Sequence, residues 1–419
     1  MKRNLLTQIK NEWRDNLWLV IELAIVAVAI WALSFTLYDT LRPKFDDKGY
    51  DIDNVYKITL KSLGKDSPEY VDMGDRTETA NLDDGKTLMA RIRKSPYVEI
   101  AAFSNNALPY QFSYAGNQLD VQDKGDSVFY MGNLRMASPE IAGVLRIRST
   151  QNLSLKDLEE ILRRGDLLVS TAPDYSYGGV KDLKDLVGGR VMPYDTLHTR
   201  RIGGVIKSIK RNEYEQKTGT IIFPIDESDY KRLAYCSEIA VRVKPGTGKK
   251  FEEEFYSDKS MRQLRNRYLT DLSRMEDVRA ANQHYSDSMV RLWSAGIVFL
   301  LVIIFLGLLG TFWFRIRQRS GEIALRKTCG ATSADIFRRI IGEGMILLSI
   351  ALIPALIAGA AIYRFIIIEK GFPFDEYKYV IALSFLIMAV IMAAMIVAGT
   401  VFPARKAMKT EPAIALKEE

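Results

Sequence analysis

Apolar residues in this chain gather into four runs, Leu17–Tyr38, Leu292–Phe314, Ile340–Tyr363 and Tyr379–Phe402. Each approaches the ~20 residues that a helix needs to cross ~30 Å of hydrocarbon. The pattern predicts transmembrane helices at 17–38, 289–314, 340–363 and 379–402, with a hydrophilic stretch, 39–288, between the first two. Glu22 interrupts the first run, and a carboxylate is expensive in lipid, so it should face protein or the interface. Pro354 should kink the third helix. Ala351, Ala355 and Gly359 on the third run, and Ala389/Ala393 and Ala394/Ala398 on the fourth, form small-residue rows. Such rows let helices approach closely, inside one subunit or between two copies.

Lys2, Arg3, Lys10 and Arg14 precede the first run, as in a secretory signal. The run is too long for a signal-peptide core, however, and it ends at Trp31–Tyr38 without a small-x-small cleavage site. It reads as an uncleaved anchor. Leu5, Leu6, Ile9 and Trp13 share one face, so residues 1–16 are expected as an amphipathic cytoplasmic leader on the membrane surface.

The 39–288 stretch has shorter periodicities. Asn54–Leu60, Asp166–Ser170, Thr218–Phe223 and Ser237–Val243 are β-branched or alternating and predict strands. Helices are predicted at Thr87–Lys94, Leu155–Arg163, Val180–Val187 and, from a helical stripe of Phe251, Phe255, Leu264, Leu272, Met275 and Val278, at Phe251–Arg279. The last reads equally as a stalk toward the second span or as a packed helix of the domain. Glycines at 188 and 189 fall just past a helix end. The fold class is an α-helical membrane protein with four transmembrane helices and a large α+β extracytoplasmic domain inserted between helices one and two.

Charge then sets orientation. The N-terminal flank carries four basic residues; the 315–339 loop carries Arg315, Arg317, Arg319, Arg326, Lys327, Arg338 and Arg339; the 403–419 tail adds Arg405, Lys406, Lys409 and Lys417. The 364–378 loop has Arg364, Lys370 and Lys378 against Glu369, Asp375 and Glu376. By the positive-inside rule both termini and the 315–339 loop are cytoplasmic. The net charge of +7 therefore reports topology and anionic lipid, not nucleic acid. Cys236 falls outside and Cys329 inside, so the two cannot pair.

Candidate chemistry is sparse. His198 and His284 lack Cys partners at ligand spacing. Ser170, Ser176 and Ser208 lack a nucleophile-elbow context. Pro245–Lys250 resembles a phosphate-binding loop, but Val243 stands where its first Gly belongs and Lys250 where Ser or Thr belongs. The expectation is a chain with no catalytic residue, no metal site and no cofactor of its own.

The 315–339 loop is too long for a tight connection and too periodic for disorder. Good helix formers dominate Gly321–Lys327, with Ile316, Ile323, Leu325, Ile336 and Phe337 as apolar contacts. Gly330 should end this helix, and Thr332 or Ser333 with Asp335 should start the next. By itself this is a charged amphipathic element, suited to anchoring at the interface or to docking.

The pattern Arg319-x-x-Glu322-Ile323-x-x-Arg326-Lys327-x-x-Gly330-Ala331-x-x-x-Asp335-Ile336, followed by Glu343, resembles the FtsX/MacB-type permeases, membrane subunits of ABC systems. The tail Pro403-Ala-Arg-Lys-Ala…Pro412-Ala-Ile-Ala-Leu416 resembles that family's closing signature. Leu167–Ser170, Asp185–Gly189, Ile202–Lys207 and Val241–Gly246 resemble pieces of its MacB-like periplasmic core, with Ser208 where an Asp is usual.

The resemblance implies a multi-pass protein of the bacterial inner membrane, with 315–339 as a coupling helix seated in a groove of a separate ABC ATPase. Ile316 and Ile323 would fill that groove. Arg319, Glu322, Arg326 and Lys327 would supply charge pairs, and Gly330, Ala331, Asp335 and Ile336 complete the coupling set. Two ATPase copies would hold ATP and Mg, and a second permease would complete a homo- or heterodimer. It implies type VII mechanotransmission that exports or extracts a peptide, toxin or lipoprotein, with a periplasmic adaptor as a further partner. The alternative is an FtsX-like regulator that activates a periplasmic cell-wall hydrolase or signals to a sensor kinase. About 250 residues of outer domain favour export.

Overall fold

Alternating apolar residues in the outer stretch become strands whose two faces feed separate cores. The computed structural model describes residues 13–111, 115–124, 128–172, 182–191, 199–215, 217–226, 233–234, 236–370 and 374–409. Residues Arg42–Ser288 make one unit, and the residues up to Leu41 with those from Met289 onward make another.

The Arg42–Ser288 unit is built on an 11-stranded mixed sheet. Its strands are β1 (Val55–Ser62), β2 (Val98–Asn105), β3 (Gly116–Asp120), β4 (Phe129–Ala137), β5 (Leu167–Ser170), β6 (Arg190–Val191), β7 (Arg200–Ile206), β8 (Thr220–Pro224), β9 (Glu238–Val243), β10 (Gln263–Leu264) and β11 (Arg267–Arg274). Their order is β10-β11-β1-β9-β2-β4-β8-β5-β7-β6, with β3 on the side of β4. The β4/β8 and β5/β7 pairs are parallel and the rest antiparallel. Every residue of β5, β8 and β9 is buried, as expected of strands covered on both faces. Successive side chains separate accordingly: Ala240 joins one core with Val55, Ala102 and Leu158. Its neighbours Ile239 and Val241 join another with Ile58, Phe103 and Phe251.

The Leu155–Arg163 helix shows how local signals set this packing. Ser154 accepts from the Asp157 backbone N–H at 3.2 Å while Asp157 accepts from the Ser154 N–H at 2.8 Å, a capping box that starts the helix. Leu158, Ile161 and Leu162 then face the sheet. A Cβ at Gly203 of β7 would lie 2.3 Å from Ile161 Cγ2, so only glycine lets helix and strand approach this closely.

The Phe251–Arg279 helix is not formed. The chain instead runs as a helix Gly248–Ser257, a single turn Lys259–Arg262, the β10–β11 hairpin, and a new helix from Met275. Asp258 ends the first helix and caps the turn, accepting from Ser260 N–H at 2.8 Å. The eight-residue interval from Leu264 to Leu272 fits period two as well as 3.6. Pairing of β11 with β1, Leu269 opposite Leu60, selects the strand. Of the predicted Val180–Val187 helix, the described part holds a 3₁₀ turn, Leu183–Leu186, followed by Gly188 with φ 82°; Val180 and Lys181 lie outside the described residues. Thr87–Lys94 is the second half of a longer helix, Thr77–Lys94. Pro245–Lys250 is a turn, Thr247 N–H donating to Lys244 C=O at 3.1 Å, that leads into the next helix.

Among the described residues, the other unit contains four helices long and apolar enough to cross a membrane: Trp13–Leu41, Met275–Gln318, Ser333–Lys370 and Phe374–Lys409, spans one to four below. The second begins in the Arg42–Ser288 unit. Leu19, Leu23, Ala27, Ile30 and Trp31 form the stripe of span one that packs on Leu308, Ala351, Ala355, Met388 and Met392. The Ala351/Ala355 row is therefore used inside this subunit, whereas Ala394 and Ala398 are exposed. Glu22 accepts from the Thr311 hydroxyl at 3.2 Å. Span three continues as helix through Pro354.

Candidate coupling segment

The segment between spans two and three is a short helix closed at both ends by backbone chemistry. Span two stops at Gln318, Arg319 leaves helical geometry (φ −101°, ψ 19°), and a helix of nine residues follows, Ser320–Thr328. Gly330 adopts φ 91°. Its N–H donates to Lys327 C=O at 3.0 Å and that of Ala331 to Arg326 C=O at 3.0 Å, the paired bonds of a Schellman end. Thr332 and Asp335 then exchange side-chain-to-backbone bonds, both 3.2 Å, and start span three.

One face of the short helix is turned inward. Ile323 and Ala324 are buried, and Ile323 clusters with Ile316 of span two and Ile336 of span three, with Ala331 and Ile340 alongside. Ile316 and Ile323, the residues expected to fill a partner's groove, are thus buried within this unit. Three helix ends meet here, and the apolar side chains seal that junction instead. The outward apolar residue is Leu325, 58% exposed, with Thr328, Cys329, Gly330 and residues 332–335 exposed beyond it.

The charges are also organised internally. Arg319 Nη1 donates to both carboxylate oxygens of Glu343, at 2.8 and 3.0 Å. Arg326 pairs with Glu322 one turn earlier, an i,i+4 arrangement. Arg315 donates to the Asn16 side chain in span one. These groups, with Arg339, line a pocket of about 60 Å³ whose apolar walls include Phe312, Ile316, Ile340 and Leu347. Of the sequence-predicted residues, Arg319, Glu322, Ile316, Ile323, Arg326 and Ile336 thus come together around one cavity. Gly330, Ala331 and Asp335 shape the turn, and Lys327 is half-buried. Arg315, Arg339 and Ile340, not among the predicted site residues, share the cavity; only the basic character of the loop signalled the two arginines.

A second cluster, in the Arg42–Ser288 unit, had no sequence signal. The loop 208–215 reaches both the chain just after Arg42 and the helix that starts at Met275. Buried Glu213 accepts from Lys48 and, at 3.2 Å, from Tyr110. Tyr214 donates to Asp287 and accepts from Lys44 at 3.0 Å, and Asn212 donates to Asn282 at 3.0 Å. Burial alone would raise the Glu213 carboxyl, but hydrogen bonds led by Lys48 outweigh it and hold the group below the usual carboxylate range. Burial pushes the Tyr110 hydroxyl up to about 12 and Lys210 below the ordinary lysine value.

Catalytic geometry does not emerge among the described residues. Ser170 accepts from Thr220 N–H at 2.9 Å and serves the sheet, and Ser208 donates to Thr218 C=O at 3.0 Å. His284 is exposed, while His198 and Ser176 lie outside the described residues. No group of three or more His, Cys, Asp or Glu converges among the described residues.

Residues 294–412 match the family described as FtsX-like permease C-terminal. No curated protein matches the chain. Among solved structures, a domain assigned to a permease protein from Porphyromonas gingivalis is similar at 17% identity and a TM-score of 0.30, covering 53% of this chain and 92% of its own. The extracellular domain of the ABC-type transporter YknZ from Gram-positive bacteria is similar at 9% identity and a TM-score of 0.30, covering 51% and 100%.

Proposed function

Since residues 294–412 carry the FtsX-like permease domain of ABC transporters, we propose that this chain is a non-catalytic membrane subunit whose Ser320–Thr328 helix docks on a separate ABC ATPase. The observation that carries this reading is the helix itself. It starts at the break at Arg319, ends in a capped turn at Gly330, is held to spans two and three by Ile316, Ile323 and Ile336, and presents Leu325 outward. A helix fixed in this way passes a push on its outer face to both spans, where a floppy loop would absorb it. Because Ile323 points inward, the docking surface is centred on Leu325 and the turn at Thr328–Asp335, with Lys327 at its edge.

ATP and Mg belong to the ATPase, two copies of which would drive two permeases together. Both termini and the short helix lie in the cytoplasm by the Lys/Arg bias, and residues 39–288 lie outside, as a MacB-like domain. An outer unit with an 11-stranded sheet is a large body for a regulator to carry. This supports mechanotransmission that exports or extracts a peptide, toxin or lipoprotein over activation of a hydrolase. Co-purification with a candidate ABC ATPase of the same organism tests the docking. Leu325→Glu should abolish co-purification while the chain remains folded, and retention at the wild-type level would refute the assignment.

A further inference from the structure

The pocket beneath the short helix has a composition that docking does not explain. Its charged lining is four arginines, Arg315, Arg319, Arg326 and Arg339, against two glutamates, Glu322 and Glu343. Counted by formal charge, the lining is positive, four arginines to two glutamates. Behind the charges the wall is apolar, with Phe312, Ile340 and Leu347. The pocket also lies where the apolar runs ending at Phe314 and starting at Ile340 give way to charge, which is the level of lipid headgroups.

We propose that this pocket binds an anionic phospholipid of the same leaflet, its phosphate among the arginines and the start of its acyl chain against Phe312 and Leu347. Guanidinium groups match phosphate oxygens in pairs, and basic pockets between spans favour anionic headgroups. About 60 Å³ is room for a few water-sized groups, enough for a phosphate but not a whole headgroup, so the remainder would lie outside. The lipid would then brace Arg319 and Arg326 of the short helix against Arg315 and Arg339 of the two spans. The site does not depend on the ATPase reading, since it uses only the three helix ends.

The test uses the full chain in a neutral detergent, observed by native mass spectrometry during titration with dioleoyl phosphatidylglycerol or dioleoyl phosphatidylcholine. Phosphatidylglycerol should bind at least tenfold more tightly. Arg315→Gln with Arg339→Gln should weaken it roughly thirtyfold and leave phosphatidylcholine unchanged. Arg317→Gln, exposed and outside the lining, should have no effect. Equal binding of the two lipids, or an equal loss in Arg317→Gln, would overturn the proposal. So would full competition by millimolar inorganic phosphate, which would indicate a soluble-anion site. If the double variant fails to fold, a diazirine-bearing phosphatidylglycerol on the wild-type chain decides the matter. Labels on Phe312, Ile340 or Leu347 support the site, and labelling confined to other segments rejects it.

Discussion

Arg319 holds both carboxylate oxygens of Glu343, at 2.8 and 3.0 Å, bridging the break after span two and the third turn of span three. Both side chains are largely shielded, so this contact exceeds an ordinary surface pair in strength. A double-mutant cycle with Arg319→Gln and Glu343→Gln should give a coupling energy of about 1 kcal/mol or more, read from thermal unfolding in detergent. Additive effects of the two substitutions would show that the pair holds nothing together.

Gly330 closes the short helix at φ 91°, and a Cβ there would meet nothing within 4 Å. The cost of Gly330→Ala is therefore backbone strain alone, about 1–2 kcal/mol. Amide exchange of Gly330 and Ala331, whose N–H groups make the terminal bonds, should quicken roughly 5–30-fold. Gly330→Asn should be milder, because Asn tolerates this region better. Unchanged exchange in Gly330→Ala would mean that the turn is not held as described.

Glu213 gives the outer unit a pH signature. Its folded pKa is depressed, so its contribution to stability is present above the ordinary glutamate value of about 4.3. That contribution is lost as pH falls through the lower folded value. Wild-type melting temperature should therefore drop more steeply below about pH 4.3 than that of Glu213→Gln, which should be less stable at neutral pH. Parallel pH profiles would contradict the assignment.

Arg242 is 1% exposed and donates to Val144, Asp53 and Asp51 carbonyls at 2.7–2.8 Å. Arg242→Met would leave three carbonyls without this donor, at about 1–3 kcal/mol for each that stays dry. Denaturant unfolding should show a loss of about 3 kcal/mol; a loss under 1 kcal/mol would mean that water replaces the guanidinium.

Much of the architecture could be read from pattern. The four apolar runs have the length of membrane helices, and the predicted Leu155–Arg163 helix forms with the expected bounds. Gly330, Thr332 and Asp335 are terminal signals whose chemistry is local, and they act as expected. What the pattern left illegible shares a cause. Leu264 and Leu272 fit two periods, and only a partner strand distant in sequence decides between them. Ile316 and Ile323 carry the right apolarity, but which face is inward depends on where Ile336 arrives. Glu213 and Lys48 stand 165 residues apart, and nothing local connects them.

The most direct test of the central claim is ATP hydrolysis by the reconstituted permease–ATPase complex, compared between wild type, Leu325→Glu and Ile323→Ala. The account predicts that Leu325→Glu uncouples the ATPase while leaving the permease's own melting temperature unchanged. Ile323→Ala should instead lower that temperature, through lost packing of about 2–5 kcal/mol in stability. Full coupling in Leu325→Glu would contradict the claim that this face of the short helix is where the ATPase pushes.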